Sequence, residues 1–310
     1  MKICLIWTTP NDLDPNRYLR PIIEKSLRKV GILSVYDSSF QIENIAAMNA
    51  DFILMIGTLH TLQLQVVDVI TSKRDVKLYF WNLEDPYDFD SLRPWESRFD
   101  HIFTVEIKSI AYYQNVKASY LPLAGDPDIH FRETQEKRNN RILIVGSDYD
   151  RRARISNMLA EKFPNNRIVR VGDFKNRNSN IHYLGRLDNN RIPELDNSFL
   201  CTIIIGRDFD FSNREFSIAA GSPGPRLFEA LFAGGRVLID RFSISLESSC
   251  PDLIPYVYYF ESLELLQQLI LDFESSHIFD PSEQTEWLRE NHSYDKRIQK
   301  ILEVFMAGKE

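Results

Sequence analysis

The chain has 310 residues, 44% hydrophobic and 26% charged, enough for about two globular domains with cores of their own. No apolar run reaches the ~20 residues of a transmembrane segment, and a net charge of −7 argues against a partner that is nucleic acid. The 3 cysteines (Cys4, Cys201 and Cys250) form no CxxC pair, which suggests neither a zinc site nor a disulfide framework and makes a reducing, cytoplasmic setting the expected localisation.

Short apolar runs alternate with amphipathic stretches from the first residues onward. Residues 2–8, 33–37, 52–57, 77–81, 101–105 and 119–123 read as strands, the first of them as a strand and not a signal peptide. Most are continuously apolar, as strands covered on both faces are. Helical patterns lie between them at 18–30, 42–49, 62–74 and 108–115. In the first, Ile22, Ile23, Leu27 and Val30 recur at helical spacing and Gly31 supplies the stop. A polar, aperiodic stretch follows over 125–140.

The alternation then resumes. Strands are expected at 141–146 and 167–172, around a helix at 151–163 with Ile155, Met158, Leu159 and Phe163 on one face. A short helix at 191–197, strands at 201–206, 236–240 and 256–260, and a helix at 225–233 come next. A helix built on Leu263, Leu266, Ile270 and Phe273 and two terminal helices complete the chain. Such alternation predicts right-handed βαβ units and parallel sheets. The expected fold is α/β, with two Rossmann-like domains, 1–132 and 133–310, and the last helix a candidate to pack back on the first. Parallel sheets take ligands beyond their C-terminal strand ends, so two of them predict an interdomain cleft.

Three segments follow strands and carry chemistry-bearing side chains. In Gly221–Gly235, Gly224 and Pro225 suit a helix start, and Leu227, Phe228, Leu231 and Phe232 a buried stripe. Arg226 and Glu229 stand three apart on the other face, where they either pair with one another or serve a ligand. A cation in the first turn opposes the helix dipole, so phosphate is a natural ligand for Arg226, and Glu229 suits ribose hydroxyls. In the second segment, Gly146-Ser147-Asp148-Tyr149-Asp150-Arg151-Arg152, a glycine at a strand end precedes a helix start rich in arginine. Either a diphosphate rests on its backbone N–H groups or it is a solvated turn. In the third, Trp81–Asp88, Glu84 or Asp85 suits a general base or a sugar-hydroxyl acceptor, and Asp85-Pro86 equally suits a plain turn.

Other patterns carry less. Asp-x-Asp triplets, among them Asp208/Asp210, arise cheaply in an acidic chain, and the 6 histidines show no metal-ligand spacing. There is no GxSxG or HExxH motif and no glycine fingerprint of a dinucleotide fold.

Taken in order, VGSDYDRR (145–152), YLGRLDNNRIPELDNSFLCTIIIGR (183–207), PGPRLFEALFAGGRVLID (223–240) and ENHSYDKRIQKIL (290–302) resemble the C-terminal domain of CgeB-like (spore maturation) glycosyltransferases. WNLEDP (81–86) and YLPLAGDPDIHF (120–131) are similar to segments of that family's N-terminal half. The resemblance implies a GT-B fold and sugar transfer from a nucleoside-diphosphate sugar, with UDP the expected nucleotide. The acceptor would be a glycan, a protein or a small molecule. It places Glu229 at the ribose or diphosphate, and Arg226, Gly146, Ser147 and Arg152 at the phosphates. Arg207, Gly224, Pro225 and Phe228 complete the donor side, with Asp85 and the loop 9–17 on the acceptor side. Leaving-group charge would fall on Arg226 and the helix N–H groups, with no metal and no cofactor. Ser222 stands seven residues before Glu229, where many retaining GT-B enzymes have a second glutamate, so Asp85 is the candidate base for an inverting reaction. A nucleotide-sugar-binding protein without transfer activity is the alternative.

Overall fold

Buried, continuously apolar runs fix the sheets. The computed structural model describes all residues except 11–13, 15, 38–48, 59–60, 73–75, 134–137, 176, 209–211, 277–278 and 309–310, with only the backbone given at 61–66. The helix expected at 42–49 lies outside the described residues. The chain divides into one unit of Met1–Leu123, Asp210–Ala220 and Tyr294–Glu310, and another of Ala124–Phe209 and Gly221–Ser293.

In the first unit, β1 (Lys2–Trp7), β2 (Ile32–Tyr36), β3 (Phe52–Gly57), β4 (Lys77–Asn82), β5 (His101–Thr104) and β6 (Lys117–Tyr120) make a parallel sheet of order β2-β1-β3-β4-β5-β6. Every residue of β3 is buried, and its side chains alternate between faces. Ile53 and Met55 join a core with Ile6, Phe80, Phe89 and Ile102. On the other face Phe52 meets Phe305 of the helix Tyr294–Ala307, ring centroids 4.7 Å apart. Arg297 of that helix is 1% exposed and donates from Nε to the Pro122 carbonyl at 2.9 Å. The helix expected at 108–115 is a 3-10 helix over Ile107–Tyr112, with the Glu106 carboxylate accepting from the Lys108 N–H.

In the second unit, β7 (Ile142–Val145), β8 (Ile168–Val171), β9 (Ile181–Tyr183), β10 (Cys201–Ile204), β11 (Val237–Asp240) and β12 (Val257–Phe260) are likewise parallel, in the order β12-β11-β10-β7-β8-β9. The strand order therefore reverses between β7 and β10, the position at which open α/β sheets hold ligands. Helices Asp150–Lys162 and Leu263–Ser275 bury Leu159, Leu266 and Ile270 against Ile203 and Leu238. Met158, expected on that buried face, is 40% exposed and lines a cavity with Ile155 and Leu266. The stretch read as aperiodic contains the short helix Pro127–His130, started by Asp126, whose carboxylate accepts from the Asp128 N–H at 2.8 Å. Among the described residues no helix is long and apolar enough to cross a membrane.

Candidate functional site

The turn after β7 is shaped by an arginine that holds carbonyl groups. Gly146 has φ +117°, and a Cβ there would sit 2.5 Å from Arg152 Nη1. Arg152, on the first turn of Asp150–Lys162, donates from Nη1 to the Ser147 carbonyl at 2.7 Å and from Nη2 to the Ile205 carbonyl at 2.8 Å. It thereby ties the loop after β7 to the end of β10, across the reversal of strand order. The Tyr149 ring lies under both Arg152, at 5.3 Å, and Arg207, at 5.9 Å. The Asp208 carboxylate accepts from the Arg151 N–H at 2.8 Å, so an acidic side chain occupies one of the amides expected for a diphosphate. Asp210 lies outside the described residues, and among the described residues no group of three or more acidic, histidine or cysteine side chains is arranged to hold a metal ion.

A second arginine here was not singled out from the sequence. Arg170, in the middle of β8, is 1% exposed; it donates to Ser156 Oγ at 2.9 Å and lies 3.4 Å from Asp148 Oδ1. Burial lowers its pKa, and Asp148 opposes the shift. The signal was a charged residue inside an otherwise apolar strand, which must find partners.

The other group gathers at the helix Pro225–Phe232. Gly224 precedes it in extended conformation and Pro225 opens it, so no side chain caps its N-terminus. Arg226 Nη1 donates to Glu229 Oε2 at 2.9 Å, which is the intrahelical pair, but Nη2 reaches Asp196 Oδ2 at 2.8 Å. Asp196 is fully buried and also accepts from Thr202 Oγ1 at 2.7 Å. Burial disfavours charge on Arg226, yet Asp196 and Glu229 outweigh it and hold the pKa above its ordinary value. Asp196 also escaped the sequence reading. It shares the buried side of Ile192–Ser198 with Ile192, and a carboxylate in such a place requires a partner.

Glu229 is 3% exposed, and its Oε1 lies 4.0 Å from Nε2 of His130. His130 accepts the Asp126 N–H at Nδ1, 2.9 Å, which leaves the proton on Nε2 when the ring is neutral. Phe228 is fully buried and stacks on His292 at 5.4 Å, so it belongs to the core of its unit. His292 Nε2 lies 3.0 Å from Asp252 Oδ2.

In the first unit Asp85 is 3% exposed. Its Oδ1 accepts from Asn82 Nδ2 at 2.7 Å and its Oδ2 from the Tyr113 hydroxyl at 2.6 Å. Burial first, then Asp88 and Glu106, push its carboxyl up to about 8, against hydrogen bonds from Thr104 and Tyr113. Of the loop 9–17, residues 11–13 and 15 lie outside the described residues; Asp14 pairs with Arg20 at 2.8 Å. Asn16 Nδ2 donates to Glu84 Oε1 at 3.0 Å.

The predicted residues thus fall into three places: Gly146, Ser147, Arg152 and Arg207 around the reversal of strand order, Gly224, Pro225, Arg226, Phe228 and Glu229 along one helix, and Asp85 in the other unit. A cavity of about 310 Å³ in the second unit is lined by Arg151, Ile155, Phe260 and Leu266, among others, and by none of them.

Two six-stranded parallel sheets, the second with a reversal of strand order beside an arginine-rich turn, make two Rossmann-like α/β units, the GT-B fold, and solved structures share it. A glycosyltransferase from Rickettsia africae superposes with a TM-score of 0.67 at 11% identity, over 98% of this chain and 98% of that one. HepE from Anabaena, solved in complex with UDP-glucose, gives 0.65 at 12% identity over 99% and 100%. A DNA-modifying β-glucosyltransferase, solved with and without uridine diphosphoglucose, gives 0.63 at 14% identity over 98% and 99%. At these identities the likeness is one of fold. No protein-family model matches the sequence, and no curated protein matches it either.

Proposed function

We propose that the protein is a glycosyltransferase of the CgeB-like kind, moving a sugar from a nucleoside-diphosphate sugar, with UDP as the nucleotide, to a glycan, protein or small-molecule acceptor. The observation that carries this reading is the helix Pro225–Phe232. Its first turn lacks a side-chain cap and bears a cation, and a buried carboxylate stands one turn deeper. The positive end of the helix dipole there suits the charge that develops on a departing diphosphate. Glu229 suits ribose hydroxyls. Both terminal nitrogens of Arg226 are held by the Glu229 and Asp196 carboxylates, which balance its charge, so its part is to orient Glu229 while the helix backbone supplies the positive end. Arg152 shapes the turn at Gly146 and Ser147 by holding carbonyl groups, and Arg207 flanks it. The first unit is read as the acceptor side.

Transfer on this account needs no metal. UDP release from UDP-sugars, followed with and without EDTA, tests it: equal rates are expected, and rates that require added manganese would contradict it. Asp85 is the proposed base for an inverting reaction, and a base that titrates at about 8 makes the rate rise with pH through that value. The two hydrogen bonds that occupy its oxygens favour a second reading, nucleotide-sugar binding without transfer. UDP binding without turnover of any UDP-sugar would decide for the latter.

A further inference from the structure

His130 is a deeply buried titratable side chain beside Glu229 that the proposed reaction leaves unused. It is 1% exposed, and among the described residues its Nε2 has no hydrogen-bond partner. A buried N–H without an acceptor is costly, so one held in place by the fold points to an acceptor supplied by something else. The ring is held firmly. Asp126 starts the helix Pro127–His130, the Asp126 N–H donates into Nδ1 at 2.9 Å, and the His130 N–H returns to the Asp126 carbonyl at 2.8 Å. That pair of bonds fixes the tautomer and aims Nε2–H towards Glu229 Oε1, 4.0 Å away. The distance is too long for a direct hydrogen bond, and a single oxygen about 2.8 Å from each atom spans it. Such an oxygen accepts from the imidazole and donates to the carboxylate, which a hydroxyl group or the water it replaces does and a phosphate or carbonyl oxygen does not.

We infer that His130 and Glu229 form a two-sided clamp for one hydroxyl group of the bound nucleotide, with His130 as a positioning residue that supplies the donor while Glu229 supplies the acceptor. The inference rests on the donor reading given above and adds to it a residue and a selectivity. The groups that face His130 are Glu229, Arg226, Asp126 and Asp196. Burial lowers the imidazole pKa, with Arg226 acting in the same direction and the three carboxylates opposing, so the ring stays a neutral donor at pH 7.

Calorimetric titration of UDP, 2′-deoxy-UDP and 3′-deoxy-UDP into the parent protein and into His130→Phe and His130→Gln tests the clamp. The parent should bind UDP about tenfold more tightly than one of the two deoxy analogues. His130→Phe, flat and without a donor, should bind UDP about as weakly as the parent binds that analogue and should no longer tell the two apart. His130→Gln, which retains a donor, should recover part of the preference. A His130→Phe protein that melts lower but keeps the full preference would overturn the assignment, as would a parent that binds all three equally. A parent that binds none of the three would overturn the donor reading itself, and the clamp with it.

Discussion

Asp85 and Arg226 are both ionisable and both deeply held, with opposite consequences. The folded protein raises the Asp85 carboxyl from 3.8 to about 8, so between those values the folded state binds a proton that the unfolded chain releases. The part of the stability that depends on Asp85 is therefore fullest below 3.8 and falls as pH rises towards 8, by at most about 1.4 kcal/mol per pH unit. Asp85→Asn keeps a group that can face both Asn82 and Tyr113 while removing the titration. Urea unfolding of the variant between pH 5 and 8 should show that slope reduced; an unchanged slope would show that Asp85 titrates at its ordinary value.

Arg226 carries the reverse lesson. Arg226→Ala leaves the fully buried Asp196 carboxylate with its hydrogen bond from Thr202 but without the guanidinium and should cost about 3–5 kcal/mol. The sequence alone makes that variant a defect in transfer with a sound fold. The structure makes it a folding defect first. Adding Asp196→Asn should restore part of the loss in chemical denaturation, and an Arg226→Ala protein as stable as its parent would remove the ion pair from the account. The spacing of Arg226 and Glu229 was legible because both lie on one helical face. Asp196 stands thirty positions upstream, and His130 lies further away still, so no local period announces them.

At the scale of elements, the turn after β7 depends on a backbone that only glycine adopts easily. Gly146→Ala places a methyl group against a guanidinium anchored at Ser147 and Ile205 and forces a side chain to φ +117°. It should lower stability by about 1–3 kcal/mol, read by thermal unfolding, and weaken UDP binding as well. A variant that melts with the parent would show the turn to be loosely held. Most strands were legible as unbroken apolar runs, because a central parallel strand is covered on both faces. β9 was not, since only Ile181 of its three residues is buried and its length is below what a period of two can mark. Pro127–His130 escaped for a related reason: a single turn, set by the Asp126 cap, has no repeating stripe.

For the whole molecule, two parallel sheets followed from strand–helix alternation, and the last helix was a candidate to pack on the first of them, whereas nothing local marked Asp210–Ala220 as belonging there. Asp210–Ala220 and Tyr294–Glu310 belong with the N-terminal sheet, an assignment made by long-range packing such as Phe305 on Phe52 and Phe216 on Phe89. A ligand that binds only the folded chain must stabilise it, so UDP at a hundred times its Kd should add about 2.7 kcal/mol, unchanged by EDTA.

The most direct test of the central claim is a crystal structure with UDP bound. Diphosphate oxygens within hydrogen-bonding distance of the first-turn amides of Pro225–Phe232 are the predicted result. UDP lodged elsewhere, with that helix start closed by packed side chains, would contradict it.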